Sequence, residues 1–155
     1  MSETPPVLPP SARSFVALRL TVAAAFGRFE LQRCVRCSTV QYPPREACCR
    51  CLSVELEWVL QSGTGQLIAE TTLHHSLHPY FQQRLPWRVG LVRLDAGPTV
   101  VAHVPQGVSA APAPVEVVVR LDGSGQAVLI ARPPGEDSVM NEDPHVRELC
   151  GGTHG

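Results

Sequence analysis

Four of the six cysteines in this chain of 155 residues form two Cys-x-x-Cys pairs. The pairs are Cys34/Cys37 and Cys48/Cys51, and they are separated by a short loop, residues 38–47. Zinc accepts four sulfur ligands in tetrahedral structural sites, and a loop of this length can bring four thiolates around one ion. No ligand position then remains for water, so we predict one structural zinc ion per chain and no catalytic metal.

Cys49 competes for a place in this site because it directly follows Cys48. We assign the ligand role to Cys48, since pairing it with Cys51 keeps the two-residue spacing in which backbone amides point at sulfur. The alternatives for the whole cluster are disulfides or free core thiols. Tandem Cys-x-x-Cys pairs in a chain without export signals favour a metal site over both.

Composition restricts the function classes. The 13 basic residues are all arginine, the formal net charge is −1, and aromatic residues make up 5% of the chain. A surface that binds nucleic acid normally shows a basic excess and aromatic stacking platforms, so we expect no nucleic-acid partner. The sequence shows no signal peptide and no apolar run long enough to span a bilayer, so we expect a reduced, cytoplasmic protein and no membrane partner.

The N-terminal part predicts a disordered lead followed by an amphipathic helix. Residues 1–12 are rich in proline, whereas in segment 13–30 apolar residues recur at spacings of three and four. The apolar stripe of this predicted helix, Ser14 to Phe29, consists of Phe15, Leu18, Val22, Phe26 and Phe29. Either the stripe packs on its own domain or it docks on a partner, and the periodicity is compatible with both interpretations.

Residues 31–53 contain the metal module, and the pattern then becomes β over residues 54–132. The predicted strands are 54–60, continued by 67–73 after the Gly63-Thr64-Gly65 break, then 87–94, 99–104, 115–121 and 127–131. Five strands, the first long and bent at glycine, favour a small closed barrel, with an OB-fold as the best match. Segment 133–155 is polar and contains proline, so it predicts a flexible tail.

Several motifs resemble a known family. They are Leu31-Gln32-Arg33-Cys34, Cys37, Tyr42-Pro43-Pro44-Arg45, Cys48 and Cys51 in the ribbon, and Leu56-Glu57-Trp58, Ser62-Gly63-Thr64-Gly65 and residues 86–95 in the barrel. Over residues 13–132 the chain is similar to the zinc-ribbon/OB-fold proteins encoded beside thiolases. Cys49 stands where that family usually has proline, and Ala113-Pro114-Val115 replaces its common Gly-x-Pro-Val. The fold expected is therefore mainly β: an N-terminal helix, a rubredoxin-like zinc ribbon and a five-stranded OB-fold barrel.

The resemblance implies a non-catalytic accessory subunit in a hetero-oligomer. Members of the family bind thiolase-superfamily enzymes, such as thiolases or the lipid-transfer-protein-like aldolases of steroid side-chain breakdown, or MaoC-like enoyl-CoA hydratases. In these assemblies the barrel helps to hold or channel the CoA thioester, while the ribbon and the leading helix make the contacts. The resemblance thus favours the docking interpretation for Phe15, Leu18, Val22 and Phe26.

Polar residues near the predicted barrel mouth are candidates for contacts to the phosphates of CoA or to a partner, because OB-folds often bind ligands there. Ordinary polarity of a loop is the alternative for each. The candidates are His74, His75, His78 and Arg84.

Two rival function classes remain. The first is a single-stranded nucleic-acid-binding OB-fold protein, and the second is a stand-alone enzyme that uses Cys49 or Cys150. No Gly-x-Ser-x-Gly, Walker or Gly-x-Gly-x-x-Gly motif supports catalysis, so we expect no catalytic residues. His74 and His78, together with Cys150 and His154, echo the zinc site in the editing domain of alanyl-tRNA synthetases. Because the rest of that domain is missing, we interpret this match as chance.

Overall fold

The computed structural model describes residues 4–151, so the first three and the last four residues lie outside the description. The described part of the predicted disordered lead, residues 4–12, contains no helix or strand, although Pro9 is buried. Across residues 4–151, no helix is both long and apolar enough to cross a membrane.

Helix α1 spans Leu18–Ala25 and is shorter than the predicted helix from Ser14 to Phe29. It ends in a Schellman motif, in which Gly27 has a φ of +68° and the amides of Gly27 and Arg28 donate hydrogen bonds of 2.9 Å to carbonyls of the last helical turn. Glycine adopts this left-handed conformation without steric cost, so Gly27 was the available sequence signal for the helix end. Phe29 lies beyond the helix and is buried in the core.

The ribbon is built on a three-stranded antiparallel sheet in the order β2–β1–β3. Its strands are β1 (Glu30–Cys34), β2 (Val40–Gln41) and β3 (Leu56–Leu60). Strand β3 pairs with β1 over five consecutive residue pairs, so it belongs to the ribbon and is not the first barrel strand that the sequence predicted. The first strand of the barrel begins later, at Thr64.

Gly63 marks the junction between the ribbon and the barrel. Its φ is +78°, and a Cβ at this position would lie 2.0 Å from the carbonyl oxygen of Val117. The carbonyl of Gly63 also accepts a hydrogen bond of 2.7 Å from the amide of Val117. The predicted break at this glycine is therefore real, and it holds the chain against β7 where the barrel begins.

Five strands form a closed barrel in the order β4–β5–β6–β8–β7, with β7 paired back to β4. They are β4 (Thr64–Leu73), β5 (Trp87–Leu94), β6 (Thr99–His103), β7 (Ala113–Leu121) and β8 (Ala127–Arg132). A short helix, α2 (Pro79–Gln82), lies between β4 and β5. The contact between β6 and β8 is parallel and the other barrel pairings are antiparallel, which is the strand arrangement of an OB-fold.

One hydrophobic core joins the helix, the ribbon and the barrel. Leu20 from α1 and Leu31 from β1 pack in the same buried cluster as Leu67, Val92 and Val100 from the barrel. The ribbon and the barrel are thus packed as one unit.

The described part of the predicted flexible tail, residues 133–151, is folded. It forms two short helices, α3 (Ser138–Glu142) and α4 (Pro144–Leu149), and α4 begins at Asp143, whose carboxylate accepts hydrogen bonds from two amides of the first turn. The apolar side chains of these helices are buried against the barrel. They are Val139, Met140, Val146 and Leu149. The prediction was wrong here because these few apolar residues are spread through a polar, proline-containing segment.

Candidate functional site

The two cysteine pairs bring four sulfur atoms together at the edge of the ribbon sheet. The sulfurs of Cys34, Cys37, Cys48 and Cys51 all lie within 4.8 Å of one another, with 3.5 Å between Cys34 and Cys51 and 3.6 Å between Cys37 and Cys48. A tetrahedron with zinc–sulfur bonds of about 2.3 Å has edges of about 3.8 Å. The four cysteines thus fit one structural zinc ion, and they are the largest set of potential metal ligands found among residues 4–151.

The two knuckles that carry these cysteines have the same backbone geometry. In each knuckle the residue four positions after the first cysteine donates its amide to that cysteine's carbonyl, Ser38 to Cys34 at 2.9 Å and Leu52 to Cys48 at 3.0 Å. Ser38 and Leu52 both have a φ of +63°. The Cys-x-x-Cys spacing therefore folds into two equivalent turns that face each other across the metal site.

Electrostatics within the cluster favour a cation. The hydroxyl and the amide of Thr39 lower the pKa of Cys37 to about 6. The pKa of Cys51 shifts in the opposite direction. The amide of Ser53 acts to lower this pKa, but the neighbouring sulfur of Cys34 and burial raise it to about 12. The cluster alone therefore does not hold four thiolates, whereas a divalent ion at its centre stabilises the charge on each sulfur.

Two buried glutamines hold the loop between the cysteine pairs, a role that the cysteine spacing does not reveal. The side-chain amide of Gln41 donates to the side-chain oxygen of Gln32 at 2.9 Å, and that oxygen also accepts from the amide of Arg45 at 2.8 Å. The side-chain oxygen of Gln41 accepts from the amide of Cys49 at 2.8 Å. Cys49 itself is exposed and outside the four-sulfur cluster, which agrees with its assignment as a bystander.

The predicted apolar stripe faces solvent along α1 and the residues that directly flank it. Leu18 and Val22 lie on the helix. Phe15 precedes the helix and Phe26 directly follows it. Phe15 is 88% exposed and Phe26 is 78% exposed, and the two stripe residues between them are exposed as well, Leu18 and Val22. The opposite face of the helix is buried through Leu20, Ala23 and Ala24. The interpretation that the stripe packs on its own domain therefore applies only to Phe29.

The barrel-mouth candidates do not form a single polar site. His74 and His75 are exposed and make no side-chain hydrogen bond within the described residues. The ring nitrogen Nδ1 of His78 accepts a hydrogen bond of 3.2 Å from the amide of Tyr80 and so caps α2. Arg84 stacks on the ring of Tyr80 at 3.8 Å and forms an ion pair with Glu148 of α4.

Helix α4 covers the barrel end that lies between the β4–β5 and β7–β8 loops. Leu149 is fully buried in a cluster with Tyr80 and Trp87, and its carbonyl accepts a hydrogen bond of 2.8 Å from the amide of Gly123. OB-folds use these loops and the second and third strands to bind oligonucleotides. In this chain α4 occupies the space between these two loops.

His103 lies half-buried at the end of β6, beside Trp87. The indole Nε1 of Trp87 donates a hydrogen bond of 2.8 Å to Nδ1 of His103. Burial lowers the pKa of His103 to about 4, so the ring is neutral and carries its proton on Nε2. The synthetase-like motif finds no support here, since Cys150 is a half-buried thiol whose pKa burial raises to about 11, and His154 lies outside the described residues.

Comparisons with known proteins match both parts of the chain. Residues 22–57 match the family model of the ChsH2 rubredoxin-like zinc ribbon domain, and residues 58–123 match that of the ChsH2 C-terminal OB-fold domain. A solved structure of the Ltp2-ChsH2(DUF35) aldolase contains a chain with 28% identity and a TM-score of 0.66. That match covers 80% of this chain and 98% of the other.

Two curated relatives are longer than the matched region. A probable enoyl-CoA hydratase alpha subunit from Thermomonospora curvata is 36% identical over 95 residues, which are 61% of this chain and 28% of the relative. A DUF35 domain-containing scaffold protein from Methanocaldococcus jannaschii is 27% identical over 73 residues, 46% of this chain and 51% of the relative. With the zinc-ribbon geometry, the barrel topology and two adjacent family matches in agreement, the chain belongs to the ChsH2 family of zinc-ribbon/OB-fold (DUF35) proteins.

Proposed function

We propose that this chain is a non-catalytic accessory subunit that binds a thiolase-superfamily enzyme, either a thiolase or a lipid-transfer-protein-like aldolase. In this role it supports the folding of the enzyme and its binding of acyl-CoA, with steroid side-chain degradation as one candidate setting. The four-thiolate zinc site suits a reducing compartment, so we place the complex in the cytoplasm.

The observation that carries the proposal is the exposed stripe of α1. An amphipathic helix of a folded domain normally turns its apolar face inward, yet here four large apolar side chains face solvent along α1 and the residues that directly flank it, while the other face of the helix is already buried. Such a row at helical spacing is the pattern by which a helix docks into a groove of a partner. The solved aldolase complex is the second support, since its similar chain is named together with an enzyme.

The buried acidic groups support a structural role. Glu30 pairs with Arg28 at 2.8 Å and with Arg19 at 3.4 Å. Asp122 accepts hydrogen bonds from Ser124 and Gln126 in the β7–β8 turn. Asp143 accepts amide hydrogen bonds at the start of α4 and from Gln106. Each of these carboxylates stabilises the fold and none is free for acid–base chemistry.

The CoA thioester would lie near the barrel mouth, where His74 and His75 remain exposed. Arg84 could contact a phosphate only after its ion pair with Glu148 is broken. We therefore expect Arg84 to contribute less to CoA binding than His74 and His75. The alternative partner is a MaoC-like enoyl-CoA hydratase, and the similarity to a probable hydratase alpha subunit favours it. The helix α4 over the barrel end argues against single-stranded nucleic acid.

Replacement of Phe15 and Leu18 by glutamate tests the proposal. We expect the double variant Phe15→Glu/Leu18→Glu to remain folded with its zinc, because both side chains are exposed, and to lose the complex with the enzyme subunit. Co-purification of a tagged chain with a thiolase-like or hydratase subunit, followed by analytical ultracentrifugation, measures the association. A loss of at least tenfold in affinity is expected if the stripe contributes more than about 1.4 kcal/mol.

The chain offers a matched control. Leu73 and Leu77 are 40% and 87% exposed, against 40% for Leu18 and 88% for Phe15. The variant Leu73→Glu/Leu77→Glu adds the same charge at equal exposure on the β4–β5 side and is expected to keep the complex. Equal association of both double variants would refute docking through α1.

A further inference from the structure

A groove of about 400 Å³ lies between the start of α1, the turn of the ribbon and the outer face of the barrel. We call it the α1–barrel groove. Small-molecule sites typically occupy about 300–1,000 Å³ and combine an apolar lining with a few polar groups. None of His74, His75, His78 and Arg84 lines this groove, so it is distinct from the barrel-mouth candidates.

The floor of the groove is apolar and open. Val89 on β5 and Val101 on β6 line it, and Val128 on β8 continues the floor. Val101 is 57% exposed, and its cross-strand partner Leu91 is 41% exposed. Residues 4–151 thus leave a valine-lined surface uncovered on the second and third barrel strands, the face that OB-folds use for ligands.

Three polar side chains of the groove offer hydrogen-bond donors. Arg13 uses only Nη1 in its contacts with the carbonyls of Pro10 and Ala12, so the rest of its guanidinium is free among the described residues. Burial raises the pKa of Tyr42, although Arg13 acts to lower it, so the phenol keeps its proton. His103 accepts from Trp87 through Nδ1 and therefore offers its Nε2 proton.

No aspartate or glutamate lines the groove. A cation and two neutral donors around an apolar floor, with no acid nearby, favour a ligand that has an acceptor or an anion at one end of an apolar body. A cationic ligand would find no counter-charge there, and a fully polar one would leave the valine floor unused. The polar donors and the apolar floor of the groove therefore both favour an amphiphilic acid as the ligand.

We propose that the α1–barrel groove binds an amphiphilic carboxylate, with its apolar chain on Val89 and Val101 and its carboxylate at Arg13 and Tyr42. This site is additional to the accessory role, and neither depends on the other. It gives the chain a ligand of its own, which binds in the absence of an enzyme partner.

Calorimetric titration of the zinc-loaded full chain with decanoate tests the proposal, with decanol as the uncharged comparator and both kept below micelle-forming concentrations. We expect saturable binding of one decanoate per chain. Arg13→Gln should weaken decanoate by about fivefold, the effect of one solvent-accessible ion pair, and leave decanol unchanged. Ala17→Phe fills the groove from the start of α1 and should abolish the binding of both.

Ala25→Phe is the matched control, because Ala25 is exposed on the same helix and does not line the groove. If Ala17→Phe loses its fold by circular dichroism, Val101→Asp replaces it, since that exposed floor position tolerates a charge and should repel the ligand. Absence of saturable decanoate binding, or undiminished binding by both groove variants, would overturn the proposal. Neither result bears on the accessory role, because the association assay contains no decanoate.

Discussion

His103 is a single residue whose burial makes the free energy of unfolding depend on pH. Its ring is packed against Trp87 and Phe81, with centroid distances of 5.5 and 6.3 Å, and accepts the indole hydrogen of Trp87. Burial lowers its pKa from 6.5 to about 4. Between these values the unfolded chain binds a proton at residue 103 and the folded chain does not. The free energy of unfolding therefore decreases as the pH falls from about 6.5 to about 4, and this residue adds no pH dependence above that range.

We expect the variant His103→Gln to reduce the pH dependence of the free energy of unfolding. The loss of stability between pH 7 and pH 4.5 should be smaller in the variant than in the parent protein, by up to about 2–3 kcal/mol. Urea unfolding at both pH values, with zinc content checked in each sample, measures the difference. His75→Gln serves as the control because His75 is exposed, and it should follow the parent protein. Identical pH profiles for all three proteins would contradict the assignment.

At the scale of secondary-structure elements, α4 acts as a packed cover although it is short. A helix of six residues is not stable alone, so its order depends on burial of its apolar side chains and on the Asp143 cap. Leu149 is fully buried between Tyr80 and Trp87. The ion pair between Arg84 and Glu148 ties the exposed side of the helix to the β4–β5 connection.

Leu149→Ala should therefore detach α4 while leaving the barrel closed. Truncation of a buried leucine costs about 2–5 kcal/mol. We expect faster hydrogen exchange at the amide of Gly123, which donates to the carbonyl of Leu149. Arg147→Ala, an exposed position on the same helix, should leave this exchange unchanged. Unaltered exchange at Gly123 in Leu149→Ala would show that the turn is held without α4.

The elements also show what a sequence can reveal. The zinc ligands were predictable because tandem Cys-x-x-Cys spacing has few other uses. The apolar stripe was predictable because its residues recur at spacings of three and four. Its outward orientation was not, since periodicity defines a face and not what covers it. Strand 56–60 was assigned to the barrel because alternation identifies a strand but not its pairing partner, and β1 pairs with it from a distance in sequence. Helices α3 and α4 were missed because helices of five and six residues make fewer than two turns, too few to show a repeated apolar spacing.

For the whole molecule, the shared core makes ribbon and barrel depend on each other. Leu31 in the ribbon and Leu20 in α1 are buried in the same cluster as the barrel residues. Structural zinc sites in small modules contribute folding free energy directly. Loss of the metal should therefore destabilise the barrel as well as the two knuckles.

Cys34→Ser tests this coupling. We expect it to lose zinc and also to lower the thermal midpoint of the whole chain, because a disordered ribbon withdraws its side chains from the common core. Metal analysis and far-UV circular dichroism measure the two effects. Cys49→Ser should keep one zinc per chain and the parent midpoint, since Cys49 lies outside the cluster. An unchanged midpoint in zinc-free Cys34→Ser would mean that the barrel is independent of the ribbon.

The two tryptophans of the chain happen to be divided between these units. Trp58 lies on β3 of the ribbon, and Trp87 lies on β5, 4% exposed beneath α4. Each indole is thus a built-in optical reporter for one half of the molecule. With Trp58 replaced by phenylalanine, fluorescence emission would follow the cover over the barrel end alone. With Trp87 replaced, it would follow the assembly of the ribbon, so the two events can be timed separately in one chain without any attached dye.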